Sequence, residues 1–590
     1  MAKNQPPKWD LRDFYKNTND SQIQKDQKLI KKLASDFIKK YKGKINSPKL
    51  TPDLLLSSLK DIERLDETLY ILQNYAYYLH AQDSKDSKIG QFYQQIEEFG
   101  NKSTSELLWF LLEWQKLDNK HAQKLLKGPL LSTYKHFLSH ARAFTPFRVS
   151  EAEEIILTKK SMAGSQAFIR LYDETSSQER FALGKQRLTM SQLSPILKSH
   201  PSRSTRKQAS EVLTQVLKKH SHFYTFTLNN LLLDKKINDE IRGYDYPQQA
   251  TFLSYEMEPK VVETMTKVIE QRYDISERFY KTKAKLLKQK LFEWDRYSVL
   301  YPNDKIEYSW EEAKEMILKS FKQFSPVFYE TALKFFDNGW IDALITPNKR
   351  GGGFCSYSVP AKHPMILVNF AGTHDDVSTL AHELGHGIHA YLSRGNTLNN
   401  YYPSTATAEI ASIFCENILF DQVYSQITDK KVKLNMLANK IQGGLATIFR
   451  QNAFYLFEND IHNHRRQKGE LATSDINNYW QHRLQPMFGK SLTLTQNHEY
   501  WWMYVLHFYH YNFYVFTYAF GEALTNSLYE MYRENPKTFV PKYLDALTKG
   551  GSQNPKEILS SFDVDLNSSD FWNKSLNLLE EYVEDFEKLV

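Results

Sequence analysis

Cysteine is nearly absent from this sequence: 590 residues contain only Cys355 and Cys415. That excludes a disulfide framework and suits a reducing compartment. The N-terminal stretch MAKNQPPKWDLRDFY has no apolar segment of the kind a secretory signal needs, so a cytoplasmic location is expected. Neither sign of charge is in large excess, at net +7 over the whole chain. The lysine runs KKLASDFIKKYKGK (31–44) and KTKAKLLKQK (281–290) read as solvated helix faces. No recognised binding motif accompanies them, so no nucleic-acid partner is expected. Internal repeats and low-complexity tracts are also missing.

Charge is absent altogether from residues 500–521, YWWMYVLHFYHYNFYVFTYAFG. A charge-free run of this length is the usual mark of a transmembrane helix. This one holds two histidines, an asparagine and six tyrosines spread through its length. Eleven of the twenty residues from Trp501 to Phe520 are aromatic. Lipid keeps such polar tips at its interfaces, so a membrane role is not expected. Read as a helix, the run places His507, Tyr511, Tyr514 and Tyr518 at intervals of four, three and four, on one face. Such a stripe can donate hydrogen bonds to a carbonyl oxygen as it gains charge. A plain aromatic core helix is the alternative. His510 lies off the stripe, nearer Tyr514 and Thr517.

Helix signals fill most of the remainder. Thr51-Pro52 and Asn554-Pro555 read as an N-cap followed by a first-turn proline. Ser150 with Glu153, and Ser309 with Glu312, read as capping boxes. Strand candidates are few: FALGKQRLT (181–189) as a small hairpin, and MILVNF (365–370) between Pro364 and AGTHDD. The chain is too long for one ordinary core. HPSRSTR (200–206) reads as a connection, giving a helical N-terminal lobe over 1–200 and a larger, mostly helical one over 201–590. The fold class expected is all-α with a very small β component.

The sharpest signal is DDVSTLAHELGHGIHAYLSRG (375–395), an amphipathic helix with an acidic first turn and a terminating Gly395. His382 and His386 are four apart and project from one face, so both imidazoles can reach a single tetrahedral ion. Glu383 sits beside them to handle a metal-bound water. A hydrolytic zinc wants three protein ligands and one open position. His389 is one candidate for the third. The spacing of a longer three-histidine motif is not met, because that position is Leu392, and a downstream acid is favoured. ATAEIASIFCEN (406–417) supplies Glu409 on a second helix. Ala408, Ala411 and Ser412 there, and Gly385 and Gly387 on the first helix, are small enough to let the two backbones approach. Glu416, two turns on, is a candidate to orient a ligating imidazole by hydrogen bond, and Asp376 is another. A di-iron carboxylate site would need a second Glu-x-x-His on another helix, and none is present. Upstream, Gly351, Gly352 and Gly353 permit unusual backbone angles and close approach to a ligand, with Gly352 and Gly353 as candidate substrate contacts. MILVNF could present an edge to which an extended peptide adds as one more strand; a plain loop and core strand is the alternative.

Several stretches together carry a family resemblance: GWIDALITPNKRGGGFCSYS, ILVNFAGTHDDVSTLAHELGHGIHAYLS, AEIAS with Glu416 after it, HFYHYNFYVFTYAFG, and WDLRDFY near the start. The chain resembles the oligoendopeptidase F branch of the thimet oligopeptidase-like zinc metallopeptidases. The similarity spans most of the chain and is strongest from about 339 to 417, with an N-terminal segment of the oligoendopeptidase F type at about 115–195. The resemblance implies an almost wholly helical fold of two lobes around a deep channel, with one zinc ion per chain at its floor. It implies cleavage of short peptides at internal bonds and exclusion of folded proteins. By position, His382, His386 and Glu409 match the family's zinc ligands and Glu383 its general base. His507 and Tyr514 match residues acting on the substrate and transition state, with Tyr511 and Tyr518 as further candidates. An inactive peptide-binding protein of the same fold and a zinc exopeptidase are the alternative functions. Oligomeric state is not legible.

Overall fold

The computed structural model describes residues 5–302 and 307–590, so the first four residues of the N-terminal stretch lie outside the described residues. The fold is all-α with a very small β component, as expected. The capping signals act where the sequence places them. Thr51 Oγ1 accepts from the Leu54 N–H ahead of Pro52–Gln82, and Asn554 caps Pro555–Leu559. Ser150 with Glu153 and Ser309 with Glu312 close reciprocal capping boxes. The hairpin is present as Phe181–Leu183 paired antiparallel with Gln186–Leu188, turned at Gly184 with φ +60°.

The chain divides into two compact units, each built from three separate segments. The first comprises Met1–Pro146, Ile306–Gln426 and Met531–Val564; the second comprises Phe147–Lys305, Ile427–Glu530 and Asp565–Val590. They do not coincide with a sequential division at residue 200. His200–Ser202 only joins the helices Met190–Ser199 and Arg203–Lys219, which belong to one unit.

In the first unit, helices Ser21–Tyr41 and Pro52–Gln82 enclose a core containing Phe37, Tyr41, Leu65 and Trp114. A three-stranded sheet lies in the same unit: β1 (Ile341–Asp342), β2 (Phe354–Ser356) and β3 (Met365–Leu367), in the order β1-β3-β2. β3 runs parallel to β1, pairing Ile366 with Ile341, and antiparallel to β2, pairing Ile366 with Cys355. It is therefore the central strand, not an edge. The flank of β1 is covered too, because the N–H groups of Ala343 and Leu344 both donate to Pro7 O. Among the described residues, no strand pairs with the outer side of β2.

In the second unit, Arg203–Lys219, Ser221–Arg242, Gln451–Gln467 and Thr473–Leu484 pack around Trp480, Trp501 and Trp502. Among the described residues, no helix is long and apolar enough to cross a membrane. Residues 500–521 are not one helix either. A 3₁₀ segment Gln496–Tyr504 is followed by the single turn His507–His510, an extended Tyr511, and a new helix from Phe516. Phe513 sits at φ +57°, a conformation a phenylalanine rarely adopts. Tertiary partners impose the break. Glu458 Oε1 accepts from the Phe513 N–H at 2.9 Å, Thr251 Oγ1 donates to Asn512 O at 2.9 Å, and the fully buried Phe513 ring packs on His462. Trp501 and Trp502 are buried with their indole N–H groups satisfied by Thr214 and Asn477.

Candidate active site

The helix carrying the histidine pair, α1 (His374–Ser393), begins at Thr373. Thr373 Oγ1 accepts from the Asp376 N–H at 3.2 Å. Asp376 Oδ2 accepts from the N–H groups of Thr373 and Ala371 at 2.9 and 3.0 Å. The Asp376 carboxylate thus closes the helix start, and among the described residues no hydrogen bond joins it to an imidazole. The buried face of α1 includes Val377, Leu380, Leu384 and Ile388.

Opposite α1 runs α2 (Ser412–Gln426). A Cβ on Gly385 would fall 2.5 Å from Ala411 O and 2.6 Å from Ser412 Cα, so the two backbones touch there. Gly387 instead makes room for a side chain, since a Cβ on it would fall 2.5 Å from the Phe335 ring. Glu409 is not part of α2. It lies on the 3₁₀ turn Ala408–Ile410, which precedes the helix. Two hydroxyls stabilise this turn. Ser412 Oγ bonds to Glu409 O, and Tyr543 donates to Ile410 O at 2.7 Å. Side chains that satisfy local carbonyls in this way compete with helix continuation.

This turn brings Glu409 Oε2 to 3.4 Å from both His382 Nε2 and His386 Nε2. The donor atoms of His382, His386 and Glu409 lie within 4.8 Å of one another. Ligand bonds of about 2.0–2.1 Å at a tetrahedral angle would separate two donors by roughly 3.4 Å, so the donor set fits a zinc-sized cation. Glu416 Oε1 meets His382 Nδ1 at 2.5 Å, fixing that ring with Nε2 toward the common centre. Ser412 Oγ donates to Glu409 Oε2 at 2.6 Å. With the protein's own charges, burial works against protonation of His382, yet Glu416, Glu409 and Glu383 outweigh it and lift the imidazole to about 9. Glu409 shows the converse. Burial alone would raise it, but His386, His382 and the Ser412 hydroxyl hold it down to about 2.

Glu383 is 7% exposed. Burial pushes its carboxyl up; the two imidazoles oppose this, and Glu409 and Glu416 add to it. A Cβ on Gly353 would lie 3.2 Å from Glu383 Oε1, so that glycine lets the β2 strand run close over the carboxylate. Gly352, at φ +79°, shapes the turn into β2. Asn369 Nδ2 ties this glycine loop down by donating to Arg350 O and Gly352 O, both at 2.9 Å. His389 is only 1% exposed and burial lowers it to about 3; it stands outside the metal-binding group, in the core beneath Tyr357. Both thiols are held protonated by burial, with Glu383 adding to this at Cys355 and Glu416 at Cys415.

In the second unit, the broken helix still gathers the four predicted side chains. Tyr514 lies 5.3 Å from both Tyr511 and Tyr518 between ring centroids, and 6.1 Å from His507, whose ring is nearly parallel to it. His507 Nε2 is 3.3 Å from the Tyr518 hydroxyl. Tyr511 is half exposed. His510 turns away to Asp173, with Nε2 to Oδ1 at 2.7 Å. Sequence reasoning missed Ser412 and Tyr543 as supports of Glu409, and Glu458 as the support of the tyrosine segment. Only Ser412 left a signal, as a hydroxyl three residues after the acid.

Two imidazoles and a carboxylate around a common centre, with a buried glutamate alongside, can carry out metal-assisted hydrolysis. The chain belongs to Peptidase family M3, whose model matches residues 196–578, and a second model, described as Oligopeptidase F, matches residues 113–181. It is similar to the chromosomal oligoendopeptidase F of Lactococcus lactis subsp. cremoris, at 27% identity over 99% of this chain and 97% of that protein. It is also similar to oligopeptidase PepF of Bacillus subtilis, at 25% identity over 99% of this chain and 87% of that protein. Among solved structures, oligoendopeptidase-F from Enterococcus faecium shares the fold at a TM-score of 0.71, with 19% identity over 96% of this chain and 98% of that one.

Proposed function

We propose that this peptidase is a zinc-dependent endopeptidase that hydrolyses internal bonds of short oligopeptides. The observation that carries this is the His382, His386 and Glu409 group with Glu383 buried beside it. The oligopeptidase names of its relatives support the substrate class. The cytoplasm is the location we propose, in keeping with two free cysteines.

The residues that would hold zinc are His382 and His386 through Nε2 and Glu409 through a carboxylate oxygen. When bound, zinc supplies a Lewis acid that acidifies water and polarises a carbonyl. Glu383 takes the proton of the attacking water on its carboxylate and returns it to the leaving amine nitrogen. Its raised affinity for a proton suits it to hold one between the two transfers. Glu416 keeps the His382 ring fixed throughout. The peptide runs along the outer side of β2, where main-chain hydrogen bonding is open, and Gly353 leaves room for it near Glu383. For His507 and Tyr514 we propose the roles of hydrogen-bond donors to the carbonyl oxygen as it gains charge. Their grouping in one ring cluster supports this.

The test is incubation of the purified protein with a mixture of short peptides, with and without a chelator, and mass spectrometry of the products. Internal fragments that disappear on chelation and return with zinc are expected. Intact peptides would leave only a binding protein, and stepwise loss from one end would make the chain an exopeptidase.

A further inference from the structure

The second unit contains a cavity of about 250 Å³ whose lining includes His507 at one end of the 504–507 segment. Its wall is built from the helix Met190–Ser199, the residues after Glu293–Asp295, the junction of Leu445–Arg450 with the following helix, and the segment Tyr504–His507. The chemistry of this wall is one-sided. Arg296, Arg450 and Lys198 face the cavity, and Glu293 is the carboxylate opposing them. Glu293 Oε2 accepts from the Thr495 N–H at 3.0 Å and Oε1 from the Thr495 hydroxyl at 2.5 Å, and its charge attracts Arg296 without an ion pair, so one carboxylate faces three cations. His498 contributes no charge, since burial drives its pKa far down, and it accepts from the Trp480 indole N–H through Nδ1.

Arg296 is 7% exposed, and no carboxylate lies within ion-pair distance of it among the described residues. Its Nε is buried with no hydrogen-bond partner, and so is Nε of Arg450. A neighbouring cation shows what a compensated site looks like here. Arg206, 4% exposed, reaches Asp295 at 3.1 Å and spends its other N–H groups on the carbonyls of Trp294, His200 and Pro201. Arg296 stands one residue after that aspartate and lies over the Tyr297 ring, 5.2 Å away. Burying two guanidinium groups near a single carboxylate that pairs directly with neither is unfavourable. Arg450 is held in place by donating to the Tyr297 hydroxyl, from the end of a π-helical turn, a rare conformation found mostly at functional sites.

We propose that this cavity binds one small oxyanion of the phosphate class, held by the guanidinium groups of Arg296 and Arg450 and approached past Lys198. Guanidinium forks match the paired oxygens of such an ion, and the Tyr297 and Tyr504 hydroxyls in the wall can serve as further donors. The volume suits an ion of this size with a few waters, each claiming about 30 Å³. Lys198, exposed on its helix, marks the mouth.

Equilibrium dialysis of the whole protein against radiolabelled phosphate at constant ionic strength tests this, with sulfate as competitor. Saturable uptake of a single phosphate per chain is expected, displaced by sulfate. Losing one charge-assisted pair should weaken binding about tenfold or more in Arg450→Gln. Lys198→Gln, at an exposed position, should weaken it by about threefold through loss of a rim charge. Uptake that is equal in the wild type and both variants would place the phosphate elsewhere, for instance at the metal-binding group, and overturn the proposal. So would an absence of saturable uptake together with a tyrosinate absorption band at neutral pH that Tyr297→Phe abolishes. That result would make the Tyr297 phenolate the internal counter-ion.

Discussion

The α1–α2 pair and the 500–521 segment both gather polar side chains, and they do so by opposite means. In the pair, regular geometry does most of the positioning. His382 and His386 share a face because a helix repeats every 3.6 residues, and Gly385 lets the neighbouring backbone approach until Glu409 reaches both rings. In the aromatic segment nothing repeats. The polypeptide passes from a 3₁₀ helix to a single turn, an extended residue and a left-handed Phe513 before it becomes helical again. There the four rings are gathered by anchors from distant parts of the chain, above all Glu458 and Thr251. A site on regular structure depends on its spacing, whereas one on irregular structure depends on its tethers.

The sharpest way to break the comparison is to remove chemistry from the regular side while leaving its spacing intact. Glu383→Gln should lower kcat/KM on a defined peptide by about 10²–10⁴-fold, the range of a lost general base, while metal analysis shows unchanged zinc content. Full turnover would sink the base assignment. On the irregular side, Tyr514→Phe should cost roughly a hundredfold in kcat, as for a lost oxyanion donor, with KM nearly unchanged. A near-wild-type rate would pass the role to His507, Tyr511 or Tyr518. Next comes Glu416→Gln, which leaves every ligand in place but loosens the hold on His382. Zinc affinity, read by chelator competition, should fall about 10–100-fold; an unchanged affinity would show that helix geometry alone orients the ring.

The smallest effect concerns the tether. Burial raises Glu458 from an ordinary 4.5 to about 8. The folded chain therefore keeps this proton between those values while the unfolded chain has lost it. Stability from this group is greatest below pH 4.5 and declines as pH rises toward 8, by at most about 1.4 kcal/mol per pH unit. Glu458→Gln retains an acceptor for the Phe513 N–H and cannot ionise, so it should flatten this slope in denaturation measured from pH 5 to 8. Parallel slopes in the two proteins would mean that Glu458 is already ionised in the fold.

What was legible in the sequence follows the same division. Caps such as Thr51-Pro52 and Asn554-Pro555, and the i, i+4 histidines of α1, are local patterns and could be read directly. Glu409 could be picked out as an acid, but its 3₁₀ turn could not, because Tyr543 stabilises it from far along the chain. The break at Phe513 left no glycine or proline to announce it, since it comes from a carboxylate 55 residues away. The central position of β3 was hidden because its partners, of two and three residues, are too short to show a pattern.

The dependence of Ile410 on Tyr543 also sets a timetable for biosynthesis. The hydroxyl that steadies the turn of Glu409 lies 133 residues downstream, in the last of the three segments that complete the first unit. A ribosome therefore releases both histidines long before it supplies the strut for the turn of Glu409. If the group holds zinc as proposed, capture at full affinity waits until Tyr543 has been made, and a nascent chain cut before it would carry the histidine motif without this support.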